Sequence, residues 1–136
     1  MKRIQVWNYL SEYDELRDTI LSAVDDVFSS GQLILGERVA TLEADMASYI
    51  GVSETGIGVN SGTDALFIAL KSLGIGPSDE VITVANTAVP TVSAIVSTGA
   101  TPKFIDVDAA TYLMDCDQLT AALTPQTACI LPVHLF

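Results

Sequence analysis

Basic residues are scarce in this chain: 6 Lys and Arg stand against 17 Asp and Glu in 136 residues, a formal net charge of −11. Nucleic-acid and anionic-membrane surfaces need clustered cations, so this balance argues against both as partners. One small anion remains compatible, because backbone amides can hold a phosphate without any basic side chain. Histidine occurs once, as His134, and cysteine twice, as Cys116 and Cys129. Two cysteines build no disulfide framework and, without further ligands, no metal site; reduced thiols of a cytoplasmic protein are the expectation. No apolar run approaches the roughly 20 residues of a membrane span. Met1-Lys2-Arg3 is followed by no apolar core segment, so no secretory leader is expected. No Ser-His-Asp or Cys-His arrangement can be argued, and no lysine follows Gly62 as a P-loop would require.

What is present is a core-forming, alternating pattern. Hydrophobic residues make up 49% of the chain, enough for one domain or part of one. Ser11-x-x-Asp14 reads as a capping-box variant opening a helix, with Leu16, Ile20, Val24, Val27 and Phe28 at helical spacing up to Ser29-Ser30-Gly31. An apolar loop over 31–36 leads to a second helix with Val39, Leu42, Met46 and Ile50 on one face, closed by Gly51. From Thr55 the pattern predicts strands over 56–59, 80–84, 103–107 and 128–133, and helices over 63–73, 89–97 and 115–123. The strands are Val/Ile-rich runs without alternation, as in a parallel sheet covered by helices on both faces. The fold class is therefore α/β. The chain stops inside the apolar run Leu131-Pro132-Val133-His134-Leu135-Phe136, so the expectation is a single incomplete domain over 1–136, the N-terminal part of a larger protein.

Ligands of such sheets sit beyond the carboxyl ends of the strands. The residues placed there are Asn60-Ser61-Gly62-Thr63, Ala85-Asn86-Thr87-Ala88, Asp106-Val107-Asp108 and His134. The run Gly56-Ile57-Gly58-Val59-Asn60-Ser61-Gly62-Thr63-Asp64 reads as strand, tight turn and helix start. A helix beginning this way aims unpaired N–H groups and its positive dipole end at one spot, suited to a phosphate. Local sequence leaves a ligand site and a plain capped turn both open. The Gly56-x-Gly58-x-x-x-Gly62 spacing is no dinucleotide fingerprint, because its first two glycines fall in the strand and not in the turn. Asp64 suits the helix dipole; Asp106 and Asp108 are a carboxylate pair or, more commonly, turn caps; His134 and the aromatic cluster Trp7, Tyr9 and Tyr13 read first as packing residues.

Two longer strings go further. Val59-Asn60-Ser61-Gly62-Thr63-Asp64-Ala65-Leu66 is followed by Gly74-Ile75-Gly76-Pro77-x-Asp79-Glu80-Val81-Ile82-Thr83. Asn86-Thr87-Ala88-Val89-Pro90-Thr91, Gly99-Ala100-x-Pro102-x-Phe104-x-Asp106-Val107-Asp108 and Ile130-Leu131-Pro132-Val133-His134-Leu135 come next, with Val6-Trp7-x-Tyr9-Leu10 and Ser30-Gly31-Gln32-Leu33-Ile34-Leu35-Gly36 upstream. Over nearly its whole length the chain resembles the DegT/StrS-type (DnrJ-like) sugar aminotransferases. The resemblance implies the large domain of the aspartate-aminotransferase-like fold and the cofactor pyridoxal 5'-phosphate (PLP). It implies that Ser61, Gly62 and Thr63 hold the cofactor phosphate and that Thr87 and Ala88 lie against the pyridine ring. Family members often carry an aromatic residue where Ala88 stands, so the stacking surface here is small. Trp7, Ile34 and Gly36 are implied substrate contacts, the 31–36 loop lining the sugar pocket near a homodimer interface.

The implied reaction is ping-pong. An amino donor, glutamate foremost, converts PLP to pyridoxamine phosphate, and the amine then passes to the keto group of a nucleotide-linked deoxysugar. The family's Schiff-base lysine lies downstream of this segment; Lys2, Lys71 and Lys103 match no catalytic motif. The segment by itself is expected to be inactive, with PLP-dependent sugar dehydration or a non-catalytic interaction or regulatory role as the alternatives.

Overall fold

The computed structural model describes residues 7–135. Two compact units make up the chain, Met1–Gly58 and Val59–Phe136. The first carries α1 (Tyr9–Ser30) and α2 (Glu37–Ile50). The second carries α3 (Gly62–Ser72), β1 (Glu80–Val84), α4 (Val89–Thr98), β2 (Thr101–Ile105), α5 (Cys116–Ala122) and β3 (Thr127–Ile130). Lys2 and Val6 lie outside the described residues.

In the first unit, helical periodicity has placed the elements, but the start of α1 differs from the expected capping box. The helix begins at Tyr9 behind Asn8, with no side-chain cap, so Ser11 and Asp14 already lie inside it. Aromatic packing accounts for the extra turn. Trp7 meets Tyr9 edge-on at 5.4 Å, Tyr9 stacks on Tyr13 at 6.1 Å, and Trp7 Nε1 donates to Glu12 Oε2 at 3.2 Å. The α1 helix buries no residue, and α2 buries only Ala47. The expected strand over 56–59 does not form. Its N–H groups turn to α2 instead: Gly56 N donates to the Glu43 carbonyl at 3.2 Å and Gly58 N to Glu43 Oε1 at 2.6 Å. Glycine adds no side-chain packing to a strand, and Glu43 takes the donors that a ladder would need.

The second unit is a three-stranded parallel sheet in the order β2-β1-β3. β1 is central. Val81 and Ile82 are fully buried, Thr83 likewise, and Val84 is 1% exposed. The alternation of a strand sends these side chains to opposite faces. Val81 packs with Leu70, Ile75, Ile95 and Ala100 under α3 and α4, while Ile82 and Val84 pack with Ile105 and Ala122 under α5. Burial on both faces, expected of every strand, holds for β1 only. The flanking strands leave Phe104 and Ile130 partly open to solvent.

Boundaries moved by one to three residues elsewhere. β2 starts two residues earlier than expected, so Val107 falls outside it and forms an isolated antiparallel bridge to Met114. β3 ends at Ile130, although the Leu131 N–H still reaches the Ile82 carbonyl at 2.8 Å and its carbonyl accepts from Thr83 Oγ1 at 2.9 Å. Pro132 has no N–H to continue the ladder.

Both helices of the α3/α4 face end at the amino end of the sheet. Gly76, just after α3, sits 3.9 Å (from an ideal Cβ) from the Thr98 carbonyl at the end of α4. Two residues then lead from α4 into β2. Since α3 and α4 pack side by side, their N-termini both lie at the other end, beyond the carboxyl end of β1. Gly99 makes the α4–β2 turn at φ +93, and a Cβ there would stand 2.9 Å from Pro77 Cγ. Left-handed backbone costs an L-residue roughly 1–2 kcal/mol even without a clash. Gly99→Ala is expected to lower the unfolding free energy by about 2 kcal/mol or more, read from the urea midpoint.

Candidate functional site

The strand order reverses direction at β1: the chain steps from β1 outward to β2, then returns to the far side of β1 with β3. Such a reversal opens a crevice outside the carboxyl ends of the two strands it separates. Residues 85–88 follow β1 there, residues 131–135 follow β3, and the first turn of α3 faces the same end.

The α3 terminus offers a specific set of donors. Ser61 is its N-cap: Oγ accepts from Asp64 N at 3.1 Å and donates to Asp64 Oδ2 at 2.9 Å. The Ala65 N–H reaches the Ser61 carbonyl at 3.0 Å. The N–H groups of Gly62 and Thr63 have no acceptor among the described residues, and neither does the Thr63 hydroxyl. Three unpaired donors therefore stand at the positive end of an eleven-residue helix. Gly62 has open space where a Cβ would stand and no left-handed backbone. Neither packing nor conformation among the described residues demands a glycine at that position, and its absent side chain leaves the backbone open to close approach. The Ser61 hydroxyl is engaged by Asp64, so this residue acts as the cap while its neighbours present the donors.

The α4 terminus is poorer in donors. Ala88, its N-cap, has no side-chain cap and is exposed, and Pro90 in the first turn has no N–H. Thr87 is half-buried, with Oγ1 2.7 Å from Oγ1 of Thr91. The sequence signal for the pairing with Thr91 is the i, i+4 spacing of two hydroxyls across a helix start.

The remaining candidates resolve mostly into local structure. Asp108 Oδ1 accepts from the Ala110 and Thr111 N–H groups and from Thr111 Oγ1. Asp106 Oδ1 accepts from Val107 N at 2.8 Å. These carboxylates hold a turn, and the hydrogen bonds from Thr111 keep the Asp108 carboxyl below its ordinary range. His134 is exposed beyond β3. Burial pushes the Cys129 thiol up, which disfavours the thiolate. No cluster of metal-ligating side chains occurs among the described residues.

In the first unit, Trp7 is exposed and Ile34 is 84% exposed. The Gly36 position is shaped by its own loop: a Cβ there would stand 2.7 Å from the Gln32 carbonyl. Beside it lies an open cleft of about 370 Å³ lined by Gln32, Gly36, Thr41 and the Asp26–Arg38 ion pair, among others.

The model of the DegT/DnrJ/EryC1/StrS aminotransferase family matches residues 14–136. The chain belongs to this family. Among relatives of known name, it is 52% identical over 131 residues to a dTDP-3-amino-3,4,6-trideoxy-alpha-D-glucose transaminase of Micromonospora megalomicea subsp. nigra, covering 96% of this chain and 35% of the relative. Among solved structures it matches S. venezuelae DesV, crystallised in complex with a ketimine intermediate, with a TM-score of 0.94 and 38% identity over 100% of this chain and 36% of that one. Bacillus subtilis NtdA with bound cofactor PMP matches with a TM-score of 0.83 and 37% identity over 90% of this chain and 28% of that one. The chain thus spans about a third of the length of these relatives. The α/β fold, a parallel sheet flanked by helices, is that of the family's aminotransferases, and no helix among the described residues is long and apolar enough to cross a membrane.

The donors at Gly62 and Thr63 fit the phosphate of the cofactor that such aminotransferases use. The Asp108 turn has a separate, pH-dependent consequence. A carboxyl lowered in the folded state stabilises it above the unfolded value, near 3.8, and loses that contribution as pH falls through the folded value. Asp108→Asn should therefore lower stability at pH 7, with the gap to the parent closing as pH falls below the unfolded value of 3.8, as followed by thermal melts across pH.

Proposed function

We propose that the protein carrying this chain is a PLP-dependent aminotransferase. It would move an amino group from an amino acid, glutamate foremost, to a keto group of a nucleotide-linked deoxysugar. In this reading residues 1–136 supply the N-terminal part of the large, cofactor-binding domain. The carrying observation is the pair of unpaired amides at Gly62 and Thr63, next to a glycine that its own fold does not require. The names of the relatives, a nucleotide-sugar transaminase among them, support the substrate class.

Bound PLP supplies an electron-withdrawing ring that lets an amino group leave one carbon and join another. The residues of this chain do the holding. Gly62 N–H, Thr63 N–H and the Thr63 hydroxyl donate to phosphate oxygens, with the α3 dipole in place of a basic side chain. Ser61, fastened to Asp64, keeps the turn open toward the ligand. Thr87 and Ala88 lie at the carboxyl end of β1, where the ring would rest, and the small Ala88 leaves room and little stacking surface.

The described lysines do not serve as the reactive amine. Lys71 is in the last turn of α3, at the opposite end of that helix from Gly62. Lys103 lies inside β2, not at its start, with Nζ 3.7 Å from Glu80 Oε2. Trp7, Ile34 and Gly36 remain the proposed substrate side, with the exposed Trp7 and Ile34 available to the apolar face of a sugar. A homodimer whose protomers share each site and a cytoplasmic location belong to the same reading; the free thiols of Cys116 and Cys129 accord with the latter.

Gly62→Val in the intact protein tests the assignment. A branched side chain would stand where phosphate oxygens approach the amides, while the open space at Gly62 spares the fold. PLP affinity, followed by absorbance titration, should fall about tenfold or more, as expected for losing a charge-assisted hydrogen bond. The melting temperature of the cofactor-free protein should not drop. Unchanged PLP affinity would remove the phosphate assignment.

A further inference from the structure

Thr91 is 7% exposed, in the first turn of α4, and its hydroxyl lies 2.7 Å from that of Thr87. It has no other hydrogen-bond partner among the described residues. Distance alone leaves open which oxygen donates, but burial decides it. A hydroxyl has one proton to direct. Were Thr87 the donor, the Thr91 proton would point into the interior with no acceptor, which costs about 1–3 kcal/mol. Were Thr91 the donor, its proton is satisfied, and Thr87, half-buried in the bend after β1, can turn its own proton toward the open side.

We propose that Thr91 is a positioning residue: its buried hydroxyl donates to Thr87 and thereby leaves the Thr87 O–H aimed at an acceptor oxygen of the ligand held beyond the carboxyl end of β1. The ligand in question is the PLP of the proposed function, on which this inference rests. Two further features favour the assignment. The Thr87 N–H is already committed to the Ala85 carbonyl at 2.9 Å, so the residue's remaining donor is its hydroxyl. The Thr91 N–H closes on the Ala88 carbonyl at 3.1 Å, which ties the Thr91 backbone to the loop that carries Thr87. Accepting a hydrogen bond also polarises the Thr87 hydroxyl and makes it a better donor.

The experiment is a double-mutant cycle on PLP affinity in the intact protein, read by absorbance titration and by the wavelength of the bound cofactor. Thr91→Val keeps the shape of the side chain and removes the proton; Thr91→Ser keeps the proton. Thr91→Val is expected to weaken PLP about fivefold, the scale of one neutral hydrogen bond, and Thr91→Ser to restore most of it. Thr87→Val should weaken PLP by a similar factor, and adding Thr91→Val to it should cause little further loss. Additive losses, or a Thr91→Val protein that melts lower while binding PLP as well as the parent, would overturn the positioning role and leave the proposed function standing. A parent protein that binds no PLP would overturn both.

Discussion

Everything in the second unit is referred to one strand. β1 receives a parallel neighbour on each edge and a layer of helix on each face, so the side chains from Val81 to Val84 lose almost all contact with water. Each fully buried Val or Ile contributes about 1.5–3 kcal/mol, and β1 has three such residues in succession around a threonine whose hydroxyl is satisfied by the Leu131 carbonyl. With β1 immobile, the bend at its carboxyl end is immobile too. Thr87 and Ala88 sit in that bend, and the helices that cover β1 deliver the first turn of α3 to the same end.

The candidate site follows from this economy of parts. The first turn of α3 carries no basic side chain, and in the proposed reading its two spare amides take that role, since a helix terminus stabilises an anion at little cost in chain length. In an acidic chain the proposed arrangement has a second merit: a phosphate held by backbone amides would not depend on a positive patch that neighbouring carboxylates would neutralise. The threonines at the head of α4 extend the same logic. In the proposed arrangement the buried Thr91 hydroxyl gives its proton to Thr87, and the Thr87 proton would be free for a ligand.

Much of this was legible in the residues. Helix positions came from apolar periodicity, and the sites of strand-to-helix turns came from Gly, Pro and Ser punctuation. The Ser61-Gly62-Thr63 turn was readable as a capped helix start because capping residues and glycine have distinct local roles. Boundaries were less so. The strand expected at 56–59 was lost to Glu43, a residue far away in sequence, and the start of α1 was set by Trp7 and Tyr9 packing rather than by its polar cap. Such outcomes depend on which distant group claims a backbone donor, which no local pattern records.

By itself the sequence determined the α/β class, the order of helices and strands, and the residue types available at each strand end, because these depend on short-range periodicity and turn chemistry. Tertiary structure decided what each of those residues does. Asp106 and Asp108 became turn caps, Gly36 a concession to the Gln32 carbonyl, Ser61 a cap fastened by Asp64, and Thr91 a buried partner of Thr87. The physical reason is that a polar group is assigned by the partner it meets once water is gone, and that partner is chosen by packing.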